Sequence, residues 1–123
     1  SSDLKVVLMY YPTIRSLKRE YGLLNKRVFN GCLPDSSEIE FEIGNMSDAL
    51  GICKYIITRD TLAIKVLPEF KDRELFVAIL AHEMVHLYEH VTYNQMTHGP
   101  KFYEWRDVLA EHGIDLSRTY NAD

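Results

Sequence analysis

A five-residue segment in the middle of the chain has the residue types and spacing of a metal-dependent hydrolytic site. His82 and His86 are four residues apart, and Glu83 directly follows the first histidine. On a helix, residues four apart lie on one face about one turn from each other, so both imidazoles can reach one ion. Glu83 then lies beside that ion and can take a proton from an attacking water. The segment predicts two metal ligands and a general base of a small metallopeptidase.

A catalytic zinc (Zn²⁺) site of this kind needs a third protein ligand and an open position for water. His98 is the favoured third ligand, because it stands just before Gly99-Pro100 at the predicted start of the last helix. A glycine at that point permits close approach to the metal-binding helix. Glu104 or Glu111 on the last helix remain alternatives, as in sites with two histidines and a glutamate.

Two further possibilities for the third ligand are excluded, one by distance and one by residue type. His90 continues the four-residue series, but it lies about 12 Å from His82 along a helix axis, too far for one ion to bridge. The extended motif of the metzincin class requires Gly and His where this chain has Glu89 and Thr92.

Hydrophobic periodicity predicts the elements that position these residues. The order helix, three strands, helix, helix is typical of an α+β fold. We expect a three-stranded antiparallel meander, with a tight turn around Arg59-Asp60 and helices on one face, in a single domain over residues 1–123 with its core at about 13–112. The first ten residues fit either a strand or a helix. The predicted helices cover 13–29, 73–92 and 100–112, and the strands cover 38–43, 52–58 and 61–67.

Capping residues support the helix boundaries. Gly31 stands where a glycine commonly ends a helix, and Pro34 prevents continuation of the first one. Asp72 is a predicted N-cap of the second helix. Pro100 suits the first position of the last helix, and Gly113 can end it.

The second helix is apolar almost all round apart from the residues of the motif. Such a helix is buried on several sides, so its few polar side chains need partners. A metal ion would satisfy His82 and His86, whereas the alternative is a pair of hydrogen-bonded core histidines with a surface Glu83.

Composition limits the class of protein. The hydrophobic content of 46% and the charged content of 26% are ordinary for a soluble domain, and no apolar run is long enough to cross a membrane. Cys32 and Cys53 do not form a disulfide framework and predict two reduced, largely buried thiols in a cytoplasmic protein. A nucleoid or other DNA-associated location is the alternative. The oligomeric state is not predicted.

Charge is unevenly distributed along the chain. The net charge of −4 argues against a protein built mainly to hold nucleic acid. Residues 1–30, however, carry six Lys/Arg against two acids, whereas residues 31–123 carry eight against sixteen. The basic side chains of the first helix predict either a solvated face or a DNA contact. They are Arg15, Lys18, Arg19, Lys26 and Arg27.

The motif and its surroundings resemble the SprT-like metallopeptidases, which include the Spartan proteases. The resemblance rests on the segments His82-Glu83-Met84-Val85-His86 and His98-Gly99-Pro100-Lys101-Phe102. Upstream, residues 25–34 are similar to the stretch that closes the family's first helix, and residues 50–55 to the entry of its second strand. The resemblance covers about residues 13–112. Larger members carry a zinc ribbon or other DNA- and partner-binding segments after the protease domain, and no cysteines follow His112 here.

The resemblance implies a zinc-dependent endopeptidase domain. The family's three histidine ligands match His82, His86 and His98, and its glutamate base matches Glu83. The resemblance also implies a role in cleaving proteins that are bound or crosslinked to DNA. A catalytically silent, zinc-stabilised module that binds protein or nucleic acid is the alternative hypothesis.

Other parts of a peptidase site are less specified by the sequence. Tyr93, in the connection before His98, and Tyr103, just after it, are candidates for stabilising the transition state. A protein or peptide substrate is expected to lie extended against an edge strand of the sheet.

Overall fold

The computed structural model describes residues 8–117 and has the predicted α+β architecture. Residues 1–7, for which strand and helix were both open, lie outside the described part. Tyr10 forms an isolated antiparallel bridge with Phe70. The helices are α1 (Ile14–Arg27), α2 (Arg73–Tyr93), α3 (Pro100–Tyr103) and α4 (Arg106–Glu111), and the strands are β1 (Ile39–Ile43), β2 (Gly51–Ile56) and β3 (Thr61–Val66).

The sheet is mixed, so the prediction of an antiparallel meander is wrong for one strand pair. β2 and β3 form the predicted antiparallel hairpin. Its turn at Arg59-Asp60 is formed by a short 3-10 segment followed by a left-handed Asp60. β1, however, pairs in parallel with β3, and the strand order is β1-β3-β2.

The connection between β1 and β2 explains this order. Residues 44–50 pass over the end of β3 and carry the chain from one edge of the sheet to the other. Backbone hydrogen bonds tie the connection to that end, from Gly44 N to Val66 O (3.0 Å) and from Leu67 N to Leu50 O (3.2 Å). Alternation of polar and apolar residues sets which face a side chain points to, but not which strand is the neighbour. Because β3 lies in the middle of the sheet, β2 lies at one edge.

The first helix forms because its caps and its apolar stripe agree. Thr13 and Ser16 satisfy each other's backbone N–H groups in a capping box. Leu17, Tyr21 and Leu24 are buried at spacings of three and four residues. The helix ends at Arg27, before the positive-φ residues that include the predicted Gly31 (φ 73°).

The second helix carries the motif and is buried on most sides, as predicted. The Asp72 side chain accepts a hydrogen bond from Leu75 N (2.8 Å), so Asp72 is the N-cap. Asn94 ends the helix in a left-handed conformation. An ion pair between Arg73 and Glu20 joins its first turn to α1. No helix among residues 8–117 is both long and apolar enough to span a membrane.

Both long helices pack on the same face of the sheet. Phe41, Cys53 and Ile64 are aligned across the three strands and share that face. Tyr21 of α1 makes an edge contact with Phe41, at 5.3 Å between ring centroids, and Ile79 of α2 lies over β2 beside Gly51. Cys53 is buried as predicted, but the other thiol, Cys32, is exposed.

The predicted last helix is interrupted. It divides into α3 and α4 at residues 104–105, where the hydrogen bond from Trp105 N to Phe102 O tightens the turn. This turn places the Trp105 ring against Phe29 (4.6 Å) and Tyr88 (4.9 Å). Packing of one large aromatic side chain thus outweighs the continuous helical pattern. Gly113 ends α4 with a positive φ of 72°.

Candidate metal centre

Three histidine side chains converge at the middle of α2. His82 and His86 lie one turn apart on this helix, and His98 comes from the connection that leads to α3. The Nε2 atom of His98 lies 3.2 Å from Nε2 of His82 and 3.2 Å from Nε2 of His86. Two rings projecting from a rigid helix and one from a loop therefore face a common point.

This donor set fits a metal ion such as zinc. Within residues 8–117, these three histidines form the group whose possible ligand atoms all lie within 4.8 Å of one another. Neighbouring ligands of a tetrahedral zinc with Zn–N bonds of about 2.0–2.1 Å are about 3.3 Å apart, close to the observed separations. Glu104 and Glu111, the alternative third ligands, are exposed and outside the group. His90 instead stacks on Tyr55, at 5.1 Å between ring centroids.

One buried aromatic side chain packs against all three imidazoles. Phe102 of α3 is fully buried. Its ring centroid lies 4.8 Å from those of His82 and His86 and 4.9 Å from that of His98. Because three rings pack on one rigid ring, their planes are restricted before any ion binds.

A buried carboxylate orients one of the histidines. Glu89 is fully buried, and its Oε1 atom lies 2.9 Å from Nδ1 of His86. A carboxylate accepts the Nδ1 proton, which leaves the lone pair of His86 on Nε2, the atom that faces His98. The contact therefore selects the tautomer that a metal ion requires.

Burial keeps the two helix histidines neutral. It lowers the pKa of His82 to about 4, helped by the nearby His86 and His98, while a backbone hydrogen bond at Ser117 opposes the shift. Burial also lowers the pKa of His86, although its hydrogen bond to Glu89 acts in the other direction. Both imidazoles thus have lone pairs available at neutral pH.

Glu83 occupies a buried position next to these rings. Burial raises the pKa of its carboxyl to about 8, and a hydrogen bond from the backbone N–H of Cys53 opposes the rise. A cation at the three histidines would favour the carboxylate, because opposite charges nearby stabilise the ionised form. The carboxyl is therefore held against β2, where burial and a nearby cation would shift its pKa in opposite directions.

A cleft of about 800 Å³ opens beside the three histidines. The β1–β2 connection contributes Met46 and Leu50, and the segment before His98 contributes Met96. β2 approaches α2 so closely here that a Cβ atom at Gly51 would lie only 2.6 Å from Cγ2 of Ile79. The cleft is thus bounded by an edge strand, a loop and the motif helix.

The structure does not bring the two candidate tyrosines to this cleft. Among the described residues, those that line it include neither Tyr93 nor Tyr103. The Tyr93 ring lies under Nζ of Lys101 (4.9 Å) at the end of α2. Tyr103 packs edge-on against Phe102 and under the guanidinium of Arg106. The three histidines and Glu83 share one cleft without them.

Sequence reasoning missed the supporting contacts of the site. Glu89 follows His86 by three residues and His82 by seven, so it shares their helix face. An acidic residue on that face of an apolar helix was a detectable signal. No local pattern reveals that Phe102 touches three imidazoles, because that contact depends on how α3 packs against α2.

Comparisons with known proteins agree with this arrangement. The model of one family, described as the SprT-like family, matches residues 17–120, nearly the whole chain. The matched range contains the three histidines, Glu83 and the strand that borders the cleft. A comparison with curated proteins finds no match.

Proposed function

The chain belongs to the SprT-like family, and on that premise we propose that it is a zinc-dependent endopeptidase. The observation that carries the proposal is the convergence of three imidazole Nε2 atoms beside a buried carboxylate in one open cleft. Two neutral helix histidines and His98 would hold the ion. A protein that used zinc only for stability would not need Glu83 beside the ligands.

The zinc ion would supply Lewis acidity, lowering the pKa of water and polarising the scissile carbonyl. Glu83 would take the proton of the attacking water and deliver it to the leaving amine. The backbone N–H of Cys53 orients this carboxyl by hydrogen bonding to it. Burial that raises the carboxyl pKa towards neutrality suits a group that must both accept and return a proton.

The substrate is proposed to be an extended peptide segment lying along β2. This strand lies at the edge of the sheet and borders the cleft, so its outer backbone groups are positioned to pair with another strand. Met46, Leu50 and Met96 supply apolar surface for side chains of the substrate. Methionine is flexible and adapts to different shapes, which favours broad selection of unfolded segments.

Metal content and proteolysis, measured together, test this proposal. We expect one zinc per chain in the wild type, loss of most of it in His98→Ala, and full retention in Glu83→Gln. Glu83→Gln should cleave an unstructured protein such as casein at least about 100-fold more slowly, whereas Glu74→Gln, on an exposed turn of the same helix, should match the wild type.

Three outcomes separate the alternatives. Residual proteolysis in a clean Glu83→Gln preparation would contradict the role of the base. Zinc bound without hydrolysis of any unfolded protein would favour the zinc-stabilised binding module. A folded wild type without zinc would remove the enzyme hypothesis altogether.

A DNA contact through α1 is a separate proposal about partners. Arg15, Lys18, Arg19 and Lys26 are exposed and fall on one side of the helix, opposite the buried Leu17 stripe. Among the described residues, none of the ion pairs involves these four side chains. A row of unneutralised cations fits the phosphates of a nucleic-acid backbone.

Salt dependence of binding to a short DNA duplex tests this contact. We expect affinity to fall as salt rises, and the double substitution Lys18→Ala with Arg19→Ala to reduce the slope by about two. Arg59→Ala is the control, because Arg59 lies on the β2–β3 turn and pairs with Glu40. No salt-sensitive binding, or equal loss in the control, would rule out α1 as the contact surface.

A further inference from the structure

Glu89 stands out as a charged side chain with no exposure to solvent. It lies on α2 one turn after His86, and its relative exposure is 0%. Burying a carboxylate is costly unless several donors compensate it. The hydrogen bonds that compensate it show what it holds together.

The two oxygens of Glu89 connect the metal-binding helix to the segment that carries His98. Oε1 lies 2.9 Å from Nδ1 of His86 and accepts a hydrogen bond from Thr97 N (3.2 Å). Oε2 accepts from the Thr97 hydroxyl, also at 3.2 Å. The same hydroxyl oxygen accepts from Gly99 N (3.2 Å), so the residues on both sides of His98 are tied to one carboxylate.

This arrangement acts on two ligands at once. The contact with His86 places its lone pair on Nε2, and the contacts with Thr97 fix the backbone directly before His98. His98 itself is exposed, and although its ring packs on Phe102, its backbone lies in a loop whose position the contacts with Thr97 fix. Without Glu89, the free energy of ion binding would have to offset the entropy lost when the connection between α2 and α3 becomes ordered.

We propose that Glu89 is a positioning residue that presents His86 and His98 to the metal together, so that the three-histidine site is preorganised before the ion arrives. The inference rests on the metal site of the proposed function, but not on peptide hydrolysis. It predicts an effect on zinc affinity that is separate from any effect on stability.

The main test is the zinc affinity of Glu89→Gln, measured by competition with a chromophoric chelator. Glutamine keeps the size of the side chain and can still accept from His86, but it loses the charge. We expect zinc to bind about 10–100-fold more weakly, and Glu89→Ala to be weaker still. The absorption spectrum of the Co²⁺-loaded chain should also change, because the ligand geometry changes.

Thr97→Val provides a second, independent variant. Valine keeps the shape and the backbone N–H of Thr97 but removes the hydroxyl that bridges Glu89 and Gly99. We expect a smaller loss of zinc affinity than in Glu89→Gln. The effects of the two substitutions should combine non-additively, because they break one network. Glu74→Gln, exposed on the same helix, is the control and should bind zinc like the wild type.

Wild-type zinc affinity and an unchanged Co²⁺ spectrum in folded Glu89→Gln would overturn the inference, even if its melting temperature fell. If neither substitution at Glu89 folds, Thr97→Val decides: weaker zinc binding supports the network, and wild-type affinity overturns it. A wild type that binds no zinc would overturn the proposed function as well, which distinguishes the two failures.

Discussion

At the centre of the site, burial acts on the ionisable side chains in opposite directions. It disfavours the charged form of each group, so it lowers the pKa of His82 and raises that of Glu83. In the metal-free chain, His82 therefore stays neutral at pH 7, and burial favours the protonated form of Glu83. These pKa shifts affect the stability of the fold as well as the chemistry of the site.

Replacing Glu83 with glutamine should change how the stability of the metal-free chain depends on pH. Between the usual pKa of 4.5 and the folded value of about 8, the folded carboxyl keeps its proton while the unfolded one releases it. The folded state then binds more protons, so the free energy of unfolding falls as pH rises. Glu83→Gln lacks this loss and should gain on the wild type by on the order of a few kcal/mol across that window.

Urea unfolding in the presence of a chelator measures this difference at pH values through the window. His82 works in the reverse sense, since its lowered pKa makes stability fall as pH drops from 6.5 towards about 4. The wild type and Glu83→Gln share that histidine, so its contribution cancels in the comparison. A difference in their unfolding free energies that does not change with pH would contradict the raised pKa of Glu83.

Among the secondary-structure elements, the approach of β2 to α2 shapes the site. Gly51 begins β2 and lies under α2, where a Cβ would meet Cγ2 of Ile79 at 2.6 Å and Cγ of Glu83 at 3.4 Å. The sequence placed this glycine at a strand entry. Its contact with the helix that carries Glu83 depends on the packing of the sheet.

Gly51→Ala should move β2 away from α2 and widen the cleft beside Glu83. We expect a loss of stability of about 1–3 kcal/mol from overpacking and a fall in kcat/KM, since the carboxyl loses its fixed position. Thermal unfolding and peptidase assays measure the two effects.

Gly22→Ala is the matched control. Gly22 is exposed in α1, and a Cβ atom at this position would meet no atom of another element within 4 Å. Alanine is the better helix former, so this variant should gain about 0.5–1 kcal/mol and keep its activity. Equal stability changes in Gly51→Ala and Gly22→Ala would contradict the tight packing of β2 against α2 at Gly51.

In the whole molecule, the three-histidine cluster brings together segments that lie apart along the chain. His82 and His86 belong to the most buried helix, whereas His98 lies in the connection to α3. An ion bound to all three would tie that connection, one wall of the cleft, to the core. Binding that occurs only in the folded state stabilises it.

Removal of zinc should therefore lower the thermal stability of the chain. At a free zinc concentration about 100 times the dissociation constant, the stabilisation is about 2.7 kcal/mol, which corresponds to a melting-temperature rise on the order of 10 °C. His98→Ala should lose most of this rise. Calorimetry with zinc or with chelator measures it, and an equal zinc response in both chains would show that His98 is not a ligand.

Local geometry explains what could be predicted from the sequence. The spacing of His82, Glu83 and His86 defines their helix face without any tertiary contact. Thr13 and Asp72 begin helices through hydrogen bonds within one turn, so those boundaries were also predictable within a residue or so. These features depend on residues close together in the chain.

Only the tertiary structure decided the features that depend on distant residues. The parallel pairing of β1 with β3 follows from a connection that crosses the end of the sheet, and it leaves β2 at the edge beside the cleft. The contacts of Glu89 with Thr97 and of Phe102 with three imidazoles follow from how α2, α3 and their connection pack. Periodicity specifies which face of an element is buried, whereas the neighbour that covers it is chosen by packing over the whole chain.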